Sequence, residues 1–127
     1  MISFFLERVY VKGSLRNLDL DNDGKVDAFS FKLSNPFPAR GSVSRLSLTV
    51  DNEEIEKDKI ILKMEGKELK ASEISSEKPL EISPGGEVEV VVLKEGGLKE
   101  GKHSLSLKVF VDQLGSEYTL SFEDEIK

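Results

Sequence analysis

The residues best equipped for chemistry lie between Leu18 and Phe29, where Asp19, Asp21, Asp23 and Gly24 spell D-x-D-x-D-G. Three carboxylates at alternate positions before a glycine can wrap oxygen ligands around a Ca²⁺ ion. Counted from Asp19, the stretch matches an EF-hand loop at its first, third, fifth and sixth positions. Lys25 then offers a backbone carbonyl, Val26 stands where an apolar anchor is usual, and Asp27 occupies the ninth position. The twelfth is Ser30, which lacks the bidentate carboxylate that closes such a loop, and the flanks read as strands. A helix–loop–helix EF-hand is therefore rejected. What remains is a Ca²⁺ loop on a hairpin, with Asp19, Asp21, Asp23, Lys25 and Asp27 as its candidate residues. The plainer account is a tight turn, because Asn22, Asp23 and Gly24 are favoured turn residues. Carboxylates this close repel one another at neutral pH, which favours a cation or the Lys25 ammonium nearby.

Other chemistry is sparse. There is no cysteine, which excludes disulfides, thiolate metal sites and cysteine nucleophiles. His103 is the only histidine and opens a strand on the Leu105 face, so it reads as a strand-edge residue without partners for metal or acid–base work. No G-x-S-x-G elbow is present. The Gly pairs at 85–86 and 96–97 do not lead a strand into a helix, so they read as hairpin connections and not phosphate loops. Sugar stacking would call for exposed aromatic platforms, yet there is no Trp, and Tyr10 and Tyr118 are the only tyrosines. Phe37 stands out, set in a loop between Pro36 and Pro38 with Asn35 and Arg40 on either side. A loop aromatic held by prolines beside an arginine suits a partner anchor, and folding back as a lid on the domain suits it equally.

The elements that must position these groups show period-two alternation, the mark of half-buried strands. Phe29, Phe31 and Leu33 share a face, as do Leu46, Leu48 and Val50, then Ile60, Leu62 and Met64. Val88, Val90 and Val92 follow the same rule, as do Leu105 through Val111 and the set Tyr118, Leu120 and Phe122. Turn chemistry fills the gaps, including DNDG at 21–24, SNPFPARG at 34–41, SPGG at 83–86 and DQLG at 112–115. Asp51-Asn52 and Glu65-Gly66 each read as a two-residue hairpin turn. Residues 70–78 lack alternation and suit a loop or one helical turn stopped by Pro79. The expected fold is a single all-β domain over 1–127, an antiparallel sandwich of roughly seven to nine strands, Ig-like or jelly-roll-like.

With 38% hydrophobic and 33% charged residues, the chain reads as a globular domain with a heavily charged surface. A formal net charge of -6 argues against nucleic acid and against an anionic membrane surface. MISFFLERVYVK has no basic n-region and no cleavage site, so it reads as a strand in a cytoplasmic protein. A Lys- and Glu-rich surface with a single Gln leans towards a thermophilic source.

Residues 27–111 carry a more specific signal. An F-x-F-K strand is followed by an N-P-aromatic loop with Arg, a T-V-D-x-E-x-I hairpin, and an L-x-x-G-x-H turn that opens a long strand. This order resembles the small β subunit family of C-glycoside deglycosidases. The resemblance implies a mostly antiparallel β protein that assembles with a larger, metal-dependent barrel subunit. That larger subunit would carry the metal and cleave a carbon–carbon bond between sugar and aglycone. The small subunit would support it and shape the site entrance, with the loop Asn35 to Arg40 as the contact segment. The expectation is thus a non-catalytic partner subunit or interaction module bound to a larger protein or to its own copies, with no obligatory cofactor. A Ca²⁺-stabilised ligand- or carbohydrate-binding domain using the Asp19–Asp27 loop is the alternative.

Overall fold

The computed structural model describes residues 8–127. The strand expected at the N-terminus falls largely on residues 1–7, outside the described residues. Among the described residues, ten strands form two antiparallel sheets packed face to face: β1 (Arg16–Leu18), β2 (Ala28–Ser34), β3 (Gly41–Val50), β4 (Glu53–Glu54), β5 (Ile60–Met64), β6 (Lys67–Lys70), β7 (Leu80–Ile82), β8 (Glu87–Leu93), β9 (Gly101–Val111) and β10 (Ser116–Ile126). Short strands beyond the expected number, β4 at two residues and β7 at three, are too brief for alternation to register. Residues 71–73 make one 3₁₀ turn, as suits the unpatterned 70–78 stretch, and residues 57–59 make another. Among the described residues no helix is long and apolar enough to cross a membrane.

One sheet runs β1-β2-β8-β5-β6 and the other β10-β9-β3-β4, with β7 also paired to β3. Apart from the added β6 and β7, this neighbour order is that of the immunoglobulin sandwich, so the jelly-roll alternative falls away. The topology also corrects the assignment of the two Gly pairs. Residues 83–86 join β7 to β8, and residues 94–100 join β8 to β9; each connection passes from one sheet to the other. They are crossovers, and local turn chemistry cannot distinguish these from hairpins, because both need positive φ at glycine.

The core is the set that alternation selects. Phe29, Phe31, Leu48, Ile60, Leu62, Val88, Val90 and Leu107 are fully buried between the sheets. Burying each large side chain stabilises the fold by about 1.5–3 kcal/mol. In β3 the pairing slips between Val43 and Arg45, a bulge that leaves Ser44 unpaired on the ladder. The hydroxyl of Ser44 is then free to donate to Asp112 at 2.8 Å, tying β3 to the β9–β10 turn. Arg45 lies over the Phe110 ring at 5.0 Å on the outer face. Ser30 is buried on the outer face of its sheet, and among the described residues its hydroxyl has no hydrogen-bond partner.

Residues 9–11 extend the β2 edge. Val11 N–H donates to Lys32 O, Ser34 N–H donates to Val9 O, and Tyr10 bridges Leu33. Tyr10 then closes the gap between the sheets, stacking on Phe122 at 3.9 Å and donating its hydroxyl to Asp124 at 2.5 Å. The Gly13 amide also donates to that carboxylate. Burial, reinforced by the Asp124 carboxylate, pushes the Tyr10 phenol well above its ordinary value. Burial alone would raise Asp124, but donors from Tyr10 and the Glu125, Leu15 and Gly13 amides outweigh it and hold its pKa low.

Candidate functional site

The sandwich has two loop-bearing poles, and the candidate residues divide between them. One pole carries the acidic loop between β1 and β2, the β3–β4 turn at 51–52 and the 94–100 crossover. The other carries the Asn35–Arg40 crossover, the 83–86 crossover and the 112–115 turn.

The acidic loop spans 19–27, between Leu18 and its register partner Ala28, so it is wider than a tight two-residue turn. Its carboxylates are turned largely onto its own backbone. Asp19 accepts from the Gly24 amide at 2.8 Å and the Asp23 amide at 3.3 Å, Asp23 accepts from the Lys25 amide at 2.8 Å, and Asp27 accepts from the Leu20 amide at 2.8 Å. Asn22 and Gly24 take φ of 58° and 86°, left-handed conformations that these residue types tolerate. Even so, oxygens of Asp19, Asp21 and Asp27 all lie within 4.8 Å of one another. Of the five expected metal residues, these three converge. Asp23 is engaged by the Lys25 amide, so Lys25 enters the loop as a donor to Asp23. Desolvation pushes Asp19 up, but the Gly24, Asp23 and Asn22 amides and the Asp21 carboxyl outweigh it and hold it low. Asp21 is pushed up, by desolvation and then by its contact with Asp19. Two carboxyls in such close contact favour a shared proton or a cation over two bare charges. Each of the three offers one oxygen to the cluster, so Ca²⁺ held there would need backbone carbonyls or water to complete its six to eight oxygen ligands.

Sequence reasoning missed what supports this loop. The 94–100 crossover lies against it: Gly96 N–H donates to Val26 O, and Lys94 N–H donates to Asp27 O. Asn17 clasps the same crossover reciprocally, its amide donating to Leu98 O at 2.8 Å and its carbonyl accepting from Leu98 N–H at 2.9 Å. Gly97 sits beneath that clasp at φ 61°, where a Cβ would run into the Asn17 side chain and Val26. The Gly-Gly pair was the visible signal; its purpose depends on Asn17, 80 positions away in sequence (97 − 17).

His103 stands near the start of β9, on the core side of its sheet, with a side chain only 10% exposed. Its ring meets Asp51 Oδ2 at 2.6 Å and Lys99 O at 2.7 Å. Asp51, which alternation marks only as a turn residue, also accepts from the Ser104 amide at 2.9 Å, and its own amide donates to Ser104 O. The Asp51-Asn52 turn takes φ of 50° and 67°, the two left-handed positions of a tight hairpin.

At the opposite pole, Asn35 is buried and its side chain organises the crossover. Its amide donates to Ala39 O at 2.9 Å and Ile82 O at 3.0 Å, and its carbonyl accepts from the Phe37 amide at 3.0 Å. The Asn35 backbone bonds with Gly85 and Gly86 of the neighbouring crossover. Phe37 is half-buried, while Pro38, Ala39 and Arg40 are exposed. Arg40 stands 3.7 Å from Glu81. Of the three expected contact residues, Asn35 thus shapes the loop, and Phe37 and Arg40 stand further out on it.

A family model for the C-glycoside deglycosidase beta subunit matches residues 5–113, which takes in the acidic loop as well as the stretch from Asp27 to Val111. No curated protein matches the sequence. Among solved structures, a FixG-related protein from Vibrio parahaemolyticus is 9% identical, with a TM-score of 0.39, covering 89% of this chain and 91% of its own. BslA, a bacterial hydrophobin, is 11% identical with a TM-score of 0.43, covering 93% of this chain and 97% of its own. The apo PCuAC domain from PmoF1 is 13% identical with a TM-score of 0.41, covering 89% and 87%. By the match across most of its length, this chain belongs to the C-glycoside deglycosidase beta subunit family.

Proposed function

We propose that this chain is the small, non-catalytic subunit of a sugar-active complex, docking on a larger metal-dependent subunit through the crossover from Asn35 to Arg40. The match to a beta subunit family over residues 5–113 carries this reading. The loop geometry supports it. Asn35 spends its side chain on Ala39, Ile82 and Phe37, so the crossover is preorganised before any partner arrives. Preorganisation lowers the ordering cost of association, and an aromatic beside an arginine is the pairing that interfaces favour. The test is co-elution of this chain with the larger subunit of a C-glycoside deglycosidase, compared with a Phe37→Ala, Arg40→Ala double variant. Binding weakened at least tenfold in the folded variant supports the loop; undiminished binding moves the interface elsewhere, and no binding by either chain removes the subunit reading.

A second reading keeps the acidic loop, because Asp19, Asp21 and Asp27 converge within 4.8 Å. Here Ca²⁺ stiffens the β1–β2 hairpin of a ligand-binding domain. It predicts a melting temperature that rises with Ca²⁺ and falls with chelator. A calorimetric titration without heat, together with an unchanged melting curve, would sink it.

A further inference from the structure

We propose that His103 is held as a doubly protonated imidazolium and works as a pH-sensitive latch, tying the 94–100 crossover to the β3–β4 turn. The argument rests on what the ring faces. Nδ1 lies 2.6 Å from Asp51 Oδ2, and Nε2 lies 2.7 Å from Lys99 O. A backbone carbonyl only accepts, and an ionised carboxylate only accepts. A neutral imidazole has one N–H, so one of these short contacts would set lone pair against lone pair. Only the cation donates at both nitrogens. The Asp51 carboxylate is fixed for the purpose, since its other oxygen accepts from the Ser104 amide.

The surrounding charges are mixed. Asp51 faces the ring from the β3–β4 turn. From β10, Asp124 is the register partner of His103, and it is already engaged by the Tyr10 hydroxyl and the Gly13 amide. Lys99, Glu100 and Lys102 flank it in sequence. Burial pulls His103 down, but the Asp51 and Lys99 hydrogen bonds and the Asp51 charge outweigh it and raise its pKa above 6.5. The latch is therefore closed below the raised value and opens as the pH rises through it. The consequence reaches the acidic loop. The crossover that His103 pins is the one whose Gly96 and Lys94 amides hold Val26 and Asp27, so opening the latch loosens the whole acidic pole.

The test uses the full chain and ¹⁵N NMR of its single histidine. The expected result is two protonated ring nitrogens at pH 6 and a titration midpoint above 6.5. The Leu98 amide, which reports on the Asn17 clasp, should lose exchange protection across the same midpoint once intrinsic exchange is corrected for. Asp51→Asn should lower the midpoint, because it removes the charge and the acceptor that raise it. A neutral tautomer at pH 6.5, a midpoint unmoved by Asp51→Asn, or Leu98 protection that stays flat through the midpoint would each overturn the latch.

Discussion

The two poles of this sandwich solve the same problem with different chemistry. Each must hold a crossover that passes between the sheets, where backbone amides and carbonyls need partners. At the proline-rich pole a neutral group holds the Asn35–Arg40 crossover: the buried Asn35 amide bonds Ala39, Ile82 and Phe37, and Pro36 and Pro38 restrict the rest. The acidic pole adds ionised groups to the neutral Asn17 clasp: Asp19, Asp23 and Asp27 accept from loop amides, and Asp51 binds His103. Charge-assisted bonds are shorter and stronger than neutral ones but vanish when a group titrates. The Asn35 crossover should therefore be indifferent to pH, and the loop and turn held by Asp19, Asp51 and His103 should follow it.

The largest effect that would break this contrast comes from Gly97. Gly97→Ala forces a side chain into the Asn17 clasp at a left-handed φ, with an expected loss of about 3 kcal/mol by chemical denaturation. A near-neutral result would mean that the crossover shifts freely and that the acidic pole is not wired as described. Next, Asn35→Ala strands two carbonyls and an amide at the opposite pole, and the expected cost is about 2 kcal/mol. That loss should be the same at pH 5 and pH 8, since no titrating group is bonded to the Asn35 side chain.

The smallest effect is the pH window of the Asp51–His103 pair, worth roughly 0.5–1 kcal/mol because Asp51 is half-exposed. The His103 pKa is raised above 6.5 by Asp51 and Lys99, against the opposing pull of burial. Its contribution is complete below 6.5 and is lost as pH rises through the folded value. The Asp51 pKa is lowered below 3.8, mainly by the His103 hydrogen bond. That contribution is complete above 3.8 and is lost as pH falls through the folded value. Stability from the pair should therefore plateau between these limits and decline outside them. His103→Gln should flatten the alkaline decline, and thermal melts across the range would show whether it does.

Alternation placed Phe31, Leu48, Val90 and Leu107 in the core correctly, because a side chain's face in a strand depends only on parity, a local property. The bulge at Ser44 escaped notice, since it is created by pairing with β9 and leaves no mark on the residues themselves. The acidic loop was visible as a cluster, and Asn22 and Gly24 as turn residues. That Asp23 turns to Lys25 while Asp21 joins Asp19 and Asp27 was not visible, because it depends on how nine residues close between β1 and β2.

The chain by itself determined an all-β sandwich, an acidic surface, no thiol chemistry and, through its motif order from Asp27 to Val111, its family. Those follow from composition, parity and local spacing, which the residues carry whatever their partners. Tertiary structure alone decided that the Gly pairs cross between sheets, that Asn17 grips Leu98, and that the lone histidine is not alone. Asp51 and His103 are 52 positions apart and meet because β3 and β9 pair. The acidic loop, the most chemical stretch of the sequence, thereby comes under the hold of a crossover that His103 pins, a dependence that only strand pairing could create.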